Sequence, residues 1–211
     1  QGSLDFSLIG QSQLNLFVKP VLAFDLPYIV DAAKNRQFLE AFDPYTGPLY
    51  KYLDAETQKV GLKLVMTLDT PFRSYAFTPR SGVENLSGVR GVKVRVTMSP
   101  LERAFANALA MNPTSVGWTE VYTALQQGTV DGEIINYGTF AAANHAEIAD
   151  RFLLTRHNMA KIFVFMNKAR FDALSPEQQK MIIDAGRKAQ MEEWDFSQEY
   201  ERRGEEYCKQ H

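Results

Sequence analysis

The C-terminal tract constrains this fold more than any other segment. After Ser175-Pro176-Glu177 no further proline occurs up to His211. The serine, proline and glutamate stand where a helix N-terminus needs them: a capping hydroxyl, a ring with φ already fixed, and an acid in the first turn. If helical throughout, the tract is about 55 Å long at 1.5 Å per residue. A chain of 211 residues holds one large domain or two small lobes. One small lobe is shorter than that helix, so the helix is expected to run across two.

The remaining pattern alternates strands with helices. Leu4-Asp5-Phe6-Ser7-Leu8-Ile9-Gly10 reads as a strand entering a loop. The stretch 21–30, broken by Pro27, reads as irregular or edge structure, and 32–52 as two short helices divided by Pro44, Gly47 and Pro48. Strands are expected at 61–68, 130–137 and 161–166. The clearest is Val92-Lys93-Val94-Arg95-Val96-Thr97, whose valines share one face and whose polar residues share the other. Ser99-Pro100-Leu101-Glu102 then starts a helix, and Leu101, Phe105 and Leu109 repeat at the spacing of a buried face. A further helix spans 119–127, closed by Gly128. The alternation predicts an α/β architecture with mostly parallel strands.

Charge and cysteine content narrow the function classes. A net charge of −2 gives no global attraction to nucleic acid or to an anionic membrane. The single cysteine, Cys208, excludes an internal disulfide and a cysteine-rich zinc site. No apolar run reaches the roughly 18 residues that span a bilayer, so no membrane insertion is expected. Gln1-Gly2-Ser3-Leu4-Asp5 lacks the basic and apolar regions of a secretory leader, as a processed chain also would.

Catalytic motifs fail. Gly10-Gln11-Ser12-Gln13-Leu14 supplies only half of a nucleophile elbow, and neither a phosphate loop nor a dinucleotide fingerprint occurs. His145, Glu147, Asp150 and His157 match no metal-ligand spacing and are expected as surface and loop residues. No cofactor and no catalytic residue is predicted.

Arg95 is the most informative single residue. It lies near the carboxyl end of its strand, where open α/β sheets bind ligands. With helices on both faces its guanidinium loses water and needs an anionic partner. A ligand carboxylate suits its planar fork. A protein carboxylate, or solvent at an edge strand, satisfies the same requirement, and the residues alone leave the choice open.

The stretch Val116-Gly117-Trp118-Thr119-Glu120-Val121-Tyr122 through Gln126-Gln127-Gly128-Thr129-Val130-Asp131-Gly132 resembles the signature of the solute-binding proteins of tripartite ATP-independent (TRAP) transporters, the DctP family. Gly91-Val92-Lys93-Val94-Arg95-Val96, Leu4-Asp5-Phe6-Ser7, Phe24-Asp25-Leu26-Pro27-Tyr28, Leu154-Thr155-Arg156-His157 and Leu174-Ser175-Pro176-Glu177 continue the resemblance in register along the chain. It implies a two-lobed periplasmic-binding-protein-like α/β fold with a hinge and a long C-terminal helix crossing both lobes. Lobe I would hold 1–70, lobe II 71–160, and 161–211 would return to lobe I and form the long helix. The chain would be an internal portion of the full family length.

The resemblance further implies an extracytoplasmic, periplasmic receptor. It would bind a small organic carboxylate without turnover and deliver it to TRAP membrane permease subunits. A sensory module presenting the same ligand to a signalling receptor is the alternative, and an enzyme on a similar scaffold a third reading. Carried over by position, Arg95 would grip the carboxylate, Arg73 would stand near it and Trp118 would pack on the ligand body. Gly10, Gln11 and Gln13 would line the cleft from lobe I. One departure stands out. Where the family places an asparagine, this chain has Ile135, with Asn136 one residue later. A strand alternates faces, so Asn136 is expected to point away and the ligand body to be largely apolar.

Overall fold

The computed structural model describes residues 4–31 and 34–210. The expected helix start at Ala32 and the last residue of the C-terminal tract therefore lie outside the described residues. In chain order the regular elements are β1 (Phe6–Gly10), α1 (Gln11–Leu14), α2 (Asn35–Glu40), α3 (Pro48–Gln58), β2 (Leu62–Phe77), β3 (Lys93–Val96) and α4 (Pro100–Ala108). They continue with β4 (Asn112–Ser115), α5 (Val121–Gln127), β5 (Gly132–Ile135), α6 (Tyr137–Ala142), β6 (Arg151–Asn167), α7 (Lys168–Asp172) and α8 (Pro176–Gln210). The chain is mixed α/β and forms two compact units. Unit one comprises the described parts of 1–24, 29–70 and 160–197, and unit two those of 25–28, 71–159 and 198–211. Residues 25–28 and the last turns of α8 thus group with unit two, where the sequence reading puts them in lobe I.

In unit one, β1 pairs antiparallel with the second half of β6, from Phe6 opposite Met166 to Gly10 opposite Ile162. Alternation sorts the side chains. Leu64, Phe163 and Phe165 enter a core with Leu14, Val18, Phe42, Tyr50 and Leu53, while Val65 and Met166 face Phe171 and Ile183. Helices therefore cover both faces of this part of the sheet. The contact of α8 is close at Gly186, where a Cβ would lie 2.9 Å from the Val65 carbonyl oxygen; only glycine lets the helix approach so near.

In unit two, β4, β3 and β5 run parallel, and β5 pairs antiparallel with the end of β2. The expectation of mostly parallel strands is thus corrected to a mixed arrangement, because β2 meets β5 and β1 meets β6 head to tail. Val94, Val96, Tyr75, Phe77 and Ile134 share one face and pack with Ala106 and partly buried Phe105 of α4. Helix α4 begins as the capping pattern predicts, Ser99 Oγ accepting from the amides of Leu101 and Glu102 at 3.2 and 3.4 Å. The opposite face carries Ala76 and Ile135, packed with Phe140 and Ala149. Helix α8 has 35 residues, about 52 Å at the standard rise, and contributes to both units. No helix among the described residues is long and apolar enough to cross a membrane.

Candidate binding site in unit two

The side chains of Val94 and Val96 enter the core beside α4, so Arg95 between them projects from the other face. It is 5% exposed. Its Nε donates to the Val116 carbonyl at 3.0 Å, which fixes the fork against the chain leading to Trp118. Among the described residues the two terminal nitrogens make no further hydrogen bond, and no carboxylate lies within the 4.0 Å of an ion pair. Burial pulls the guanidinium below its ordinary pKa, opposed by the charges of Glu102 and Glu133. Arg95 is thus a largely buried cation whose two outer donors have no protein partner and still touch solvent.

Glu133 stands directly beside it. The parallel register sets Arg95 opposite Glu133, and both side chains leave the same face. Glu133 is fully buried. Its Oε1 is hydrogen-bonded with His145 Nδ1 at 2.5 Å, and its Oε2 has no partner among the described residues. His145 reaches this position from a short turn entered through Asn144, whose φ of 59° lies in the left-handed region that asparagine tolerates. The imidazole carries Trp118, ring centres 5.6 Å apart, and Trp118 remains 47% exposed. Arg95, Glu133, His145 and Trp118 therefore form one continuous cluster, buried at the arginine and open at the indole.

Arg73 sits differently. It leaves β2 toward α4 with Tyr75, on the face opposite Arg95. Its Nη2 donates to Glu102 Oε1 at 2.7 Å and its Nε to Asn158 Oδ1 at 3.2 Å. Glu102 also accepts from the backbone and hydroxyl of Thr97. Burial alone would raise Glu102, but the Arg73 charge and these hydrogen bonds outweigh it and hold the carboxyl below its usual range. Arg73 is therefore neutralised within the protein.

The other expected site residues hold mostly structural positions. Ile135 is 2% exposed and fills the cluster with Phe140 and Ala149, so its apolar character does not argue for an apolar ligand body. Asn136 lies beyond the end of β5, where strand alternation no longer applies; its Oδ1 caps α6 by accepting from the Thr139 amide at 2.8 Å. In unit one, Gln11 is buried, accepting from the Lys161 amide at 2.6 Å and donating to the Phe24 carbonyl at 3.4 Å. Gly10 precedes α1, and Gln13 is exposed.

Two histidines correct the sequence reading. His145 and His157, expected at the surface, are 2% and 1% exposed. His157 stacks on Tyr75 with ring centres 5.1 Å apart, and burial, reinforced by the Arg73 charge, pushes its pKa down to about 3. Sequence reasoning missed Glu133 and His145 as the neighbours of Arg95 and Trp118. The pairing of two parallel strands was the one signal that could have placed Glu133 beside Arg95. Among the described residues, no three histidine, cysteine or acidic side chains converge as metal ligands.

Comparison with known proteins extends this geometry. The profile of a family described as bacterial extracellular solute-binding protein, family 7 (DctP), matches residues 1–211. The 2,3-diketo-L-gulonate-binding periplasmic protein YiaO of Escherichia coli is 26% identical over 188 residues, 89% of this chain and 56% of its own length. The chain thus spans about half the length of the curated relatives it matches. A TRAP periplasmic solute-binding protein from Bradyrhizobium, solved with D-galacturonate, is 30% identical with a TM-score of 0.88 over 99% of this chain and 67% of its own. One from Xanthobacter autotrophicus, with bound β-D-galacturonate, is 26% identical with a TM-score of 0.89 over 99% and 68%.

Proposed function

Because this chain belongs to the bacterial extracellular solute-binding proteins of family 7, we propose that it captures a small organic carboxylate in the periplasm and hands it to TRAP membrane permease subunits, without chemical turnover. The observation that carries this reading is Arg95: a buried guanidinium with Nε anchored and both outer nitrogens unclaimed. A buried charge costs several kcal/mol unless compensated. A planar carboxylate meets the two open donors with two parallel hydrogen bonds. Trp118 offers an exposed aromatic face for the ligand body, at small entropic cost because the ring is already seated on His145. The uronates bound by the relatives at 26–30% identity support a carboxylate as the common element.

Titration calorimetry tests the reading with D-galacturonate and D-glucuronate against their uncharged methyl esters. The acids are expected to bind and the esters to fail. Arg95→Ala is expected to weaken the acids by at least about a hundredfold, the scale of a lost buried charge-assisted pair. Equal binding of acid and ester, or an Arg95→Ala protein that binds like the wild type, would overturn it.

A further inference from the structure

Resting on the carboxylate reading of Arg95, we infer that His145 is a positioning residue that keeps Arg95 open for the ligand by occupying the neighbouring Glu133. Glu133 is the carboxylate in register with Arg95, on the same face of adjacent parallel strands. Strand spacing alone would bring the two side chains within reach of each other. Yet no ion pair forms, and the Glu133 oxygen that is bonded goes to His145 at 2.5 Å. This contact ties the Glu133 carboxyl to the imidazole of His145 and so holds it away from the neighbouring guanidinium. The second Glu133 oxygen is buried without a partner. That arrangement is costly for an acceptor with a guanidinium beside it, and it persists only while something restrains the carboxylate.

The same imidazole supports the exposed ring of Trp118 and lies near Tyr122 and Phe140, with ring centres 5.6, 5.9 and 6.2 Å away. One residue therefore sets both features a carboxylate ligand would meet: the freedom of the fork and the seat of the indole. Without His145, Glu133 turns onto the outer nitrogens of Arg95, and an incoming carboxylate must displace an internal one already in place. Glu133 is not itself a ligand contact in this scheme; it is the competitor that His145 holds back.

The experiment uses four proteins: wild type, His145→Ala, Glu133→Gln and the double variant, titrated with D-galacturonate and D-glucuronate. His145→Ala is expected to bind about tenfold or more weakly. Glu133→Gln alone is expected to bind at least as well as wild type, and in the His145→Ala background to restore the part of the lost affinity that comes from the blocked fork, leaving the part that comes from the indole seat. A purely structural loss at His145 would not be rescued by changing Glu133. His145→Gln, which keeps an N–H donor but not the ring beside Trp118, guards against a cavity effect and is expected to bind more tightly than His145→Ala, though less tightly than wild type. Wild-type binding by His145→Ala, or no rescue by Glu133→Gln, overturns the inference. The ligand-free crystal structure of His145→Ala decides it independently: Glu133 within 4 Å of the outer nitrogens of Arg95 supports it, and Glu133 left in place refutes it. If wild type binds no carboxylate while that structure shows the new pair, the functional reading fails, and what stands is that His145 holds Glu133 off Arg95.

Discussion

Each unit buries a cation on a strand, and the two are treated in opposite ways. In unit one, Lys161 is 1% exposed, with Nζ 2.5 Å from Asp69 Oδ1, off the angle of a regular hydrogen bond, and 3.8 Å from the centre of the Phe42 ring. Burial drives its pKa down, and Asp69 opposes that. In unit two, Arg95 is 5% exposed and has one backbone carbonyl for five donors. Both are largely removed from water, but Lys161 has a carboxylate in contact and an aromatic face from its own fold, whereas Glu102 and Glu133 act on Arg95 only through their charges and form no ion pair with it. A cation compensated internally belongs to the architecture; one left uncompensated in a packed sheet marks a place where the counter-charge comes from outside. Arg73 falls with Lys161, because Glu102 already neutralises it.

The largest effect that tests this contrast lies in unit one. Asp69→Ala strands the Lys161 ammonium in the interior and is expected to cost about 3–5 kcal/mol in denaturant unfolding. Adding Lys161→Met should recover most of that loss, because an apolar isostere removes the charge together with its need for a partner. Glu102→Gln in unit two should cost less, about 2–3 kcal/mol, since Arg73 keeps Asn158 and a neutral acceptor. Arg95→Leu is expected to change stability by no more than about 1 kcal/mol, or to raise it, while removing carboxylate binding. A loss as large as that of Asp69→Ala would mean that Arg95 is compensated by the fold after all, and the contrast would break.

The sequence makes one side of this contrast visible and hides the other. β3, the Ser99 cap, the Gly128 stop and α8 are legible because each rests on local periodicity or on a turn residue in place. The interior position of Arg95 follows from that same periodicity. What compensates each charge does not, because Asp69 meets Lys161 across 92 positions of sequence and Glu102 meets Arg73 across 29. The long strands were also truncated in the reading. β2 continues through Asp69-Thr70-Pro71 to Phe77, and β6 begins at Arg151 rather than Lys161. Those polar or proline-bearing halves are strand because neighbouring strands pair with them, not because of their own composition. β4, Asn112-Pro113-Thr114-Ser115, is an edge strand without an apolar pattern and was not foreseen.

The smallest expected effect is a pH dependence of opposite sign in the two units. In unit one, burial raises Glu193 from 4.5 to about 7, with Asp69 adding to the rise through its charge and opposing it through its amide, and Lys161 opposing it. The folded state then holds a proton that the unfolded chain releases, so this contribution is full below about pH 4.5 and is lost as pH rises through 7. In unit two, burial lowers His157 from 6.5 to about 3, with the nearby Arg73 charge lowering it further and Glu102 opposing. Here the unfolded chain takes up the proton first, so the contribution is full above about pH 6.5 and is lost as pH falls toward 3. Between pH 5 and 6.5 the two slopes oppose each other, and the wild-type melting temperature should be nearly flat. Above pH 6.5 only the Glu193 slope remains, and a decline of about 1–2 °C by pH 8 is expected. Glu193→Gln should turn the profile into a rise that levels near pH 6.5, because only His157 is left titrating. His157→Phe, which keeps an aromatic ring against Tyr75, should turn it into a fall from pH 5 onward. If both variants follow the wild-type profile, neither group is desolvated as its surroundings imply. If only Glu193→Gln departs from it, the buried acid of unit one is real and the His157 stack admits water.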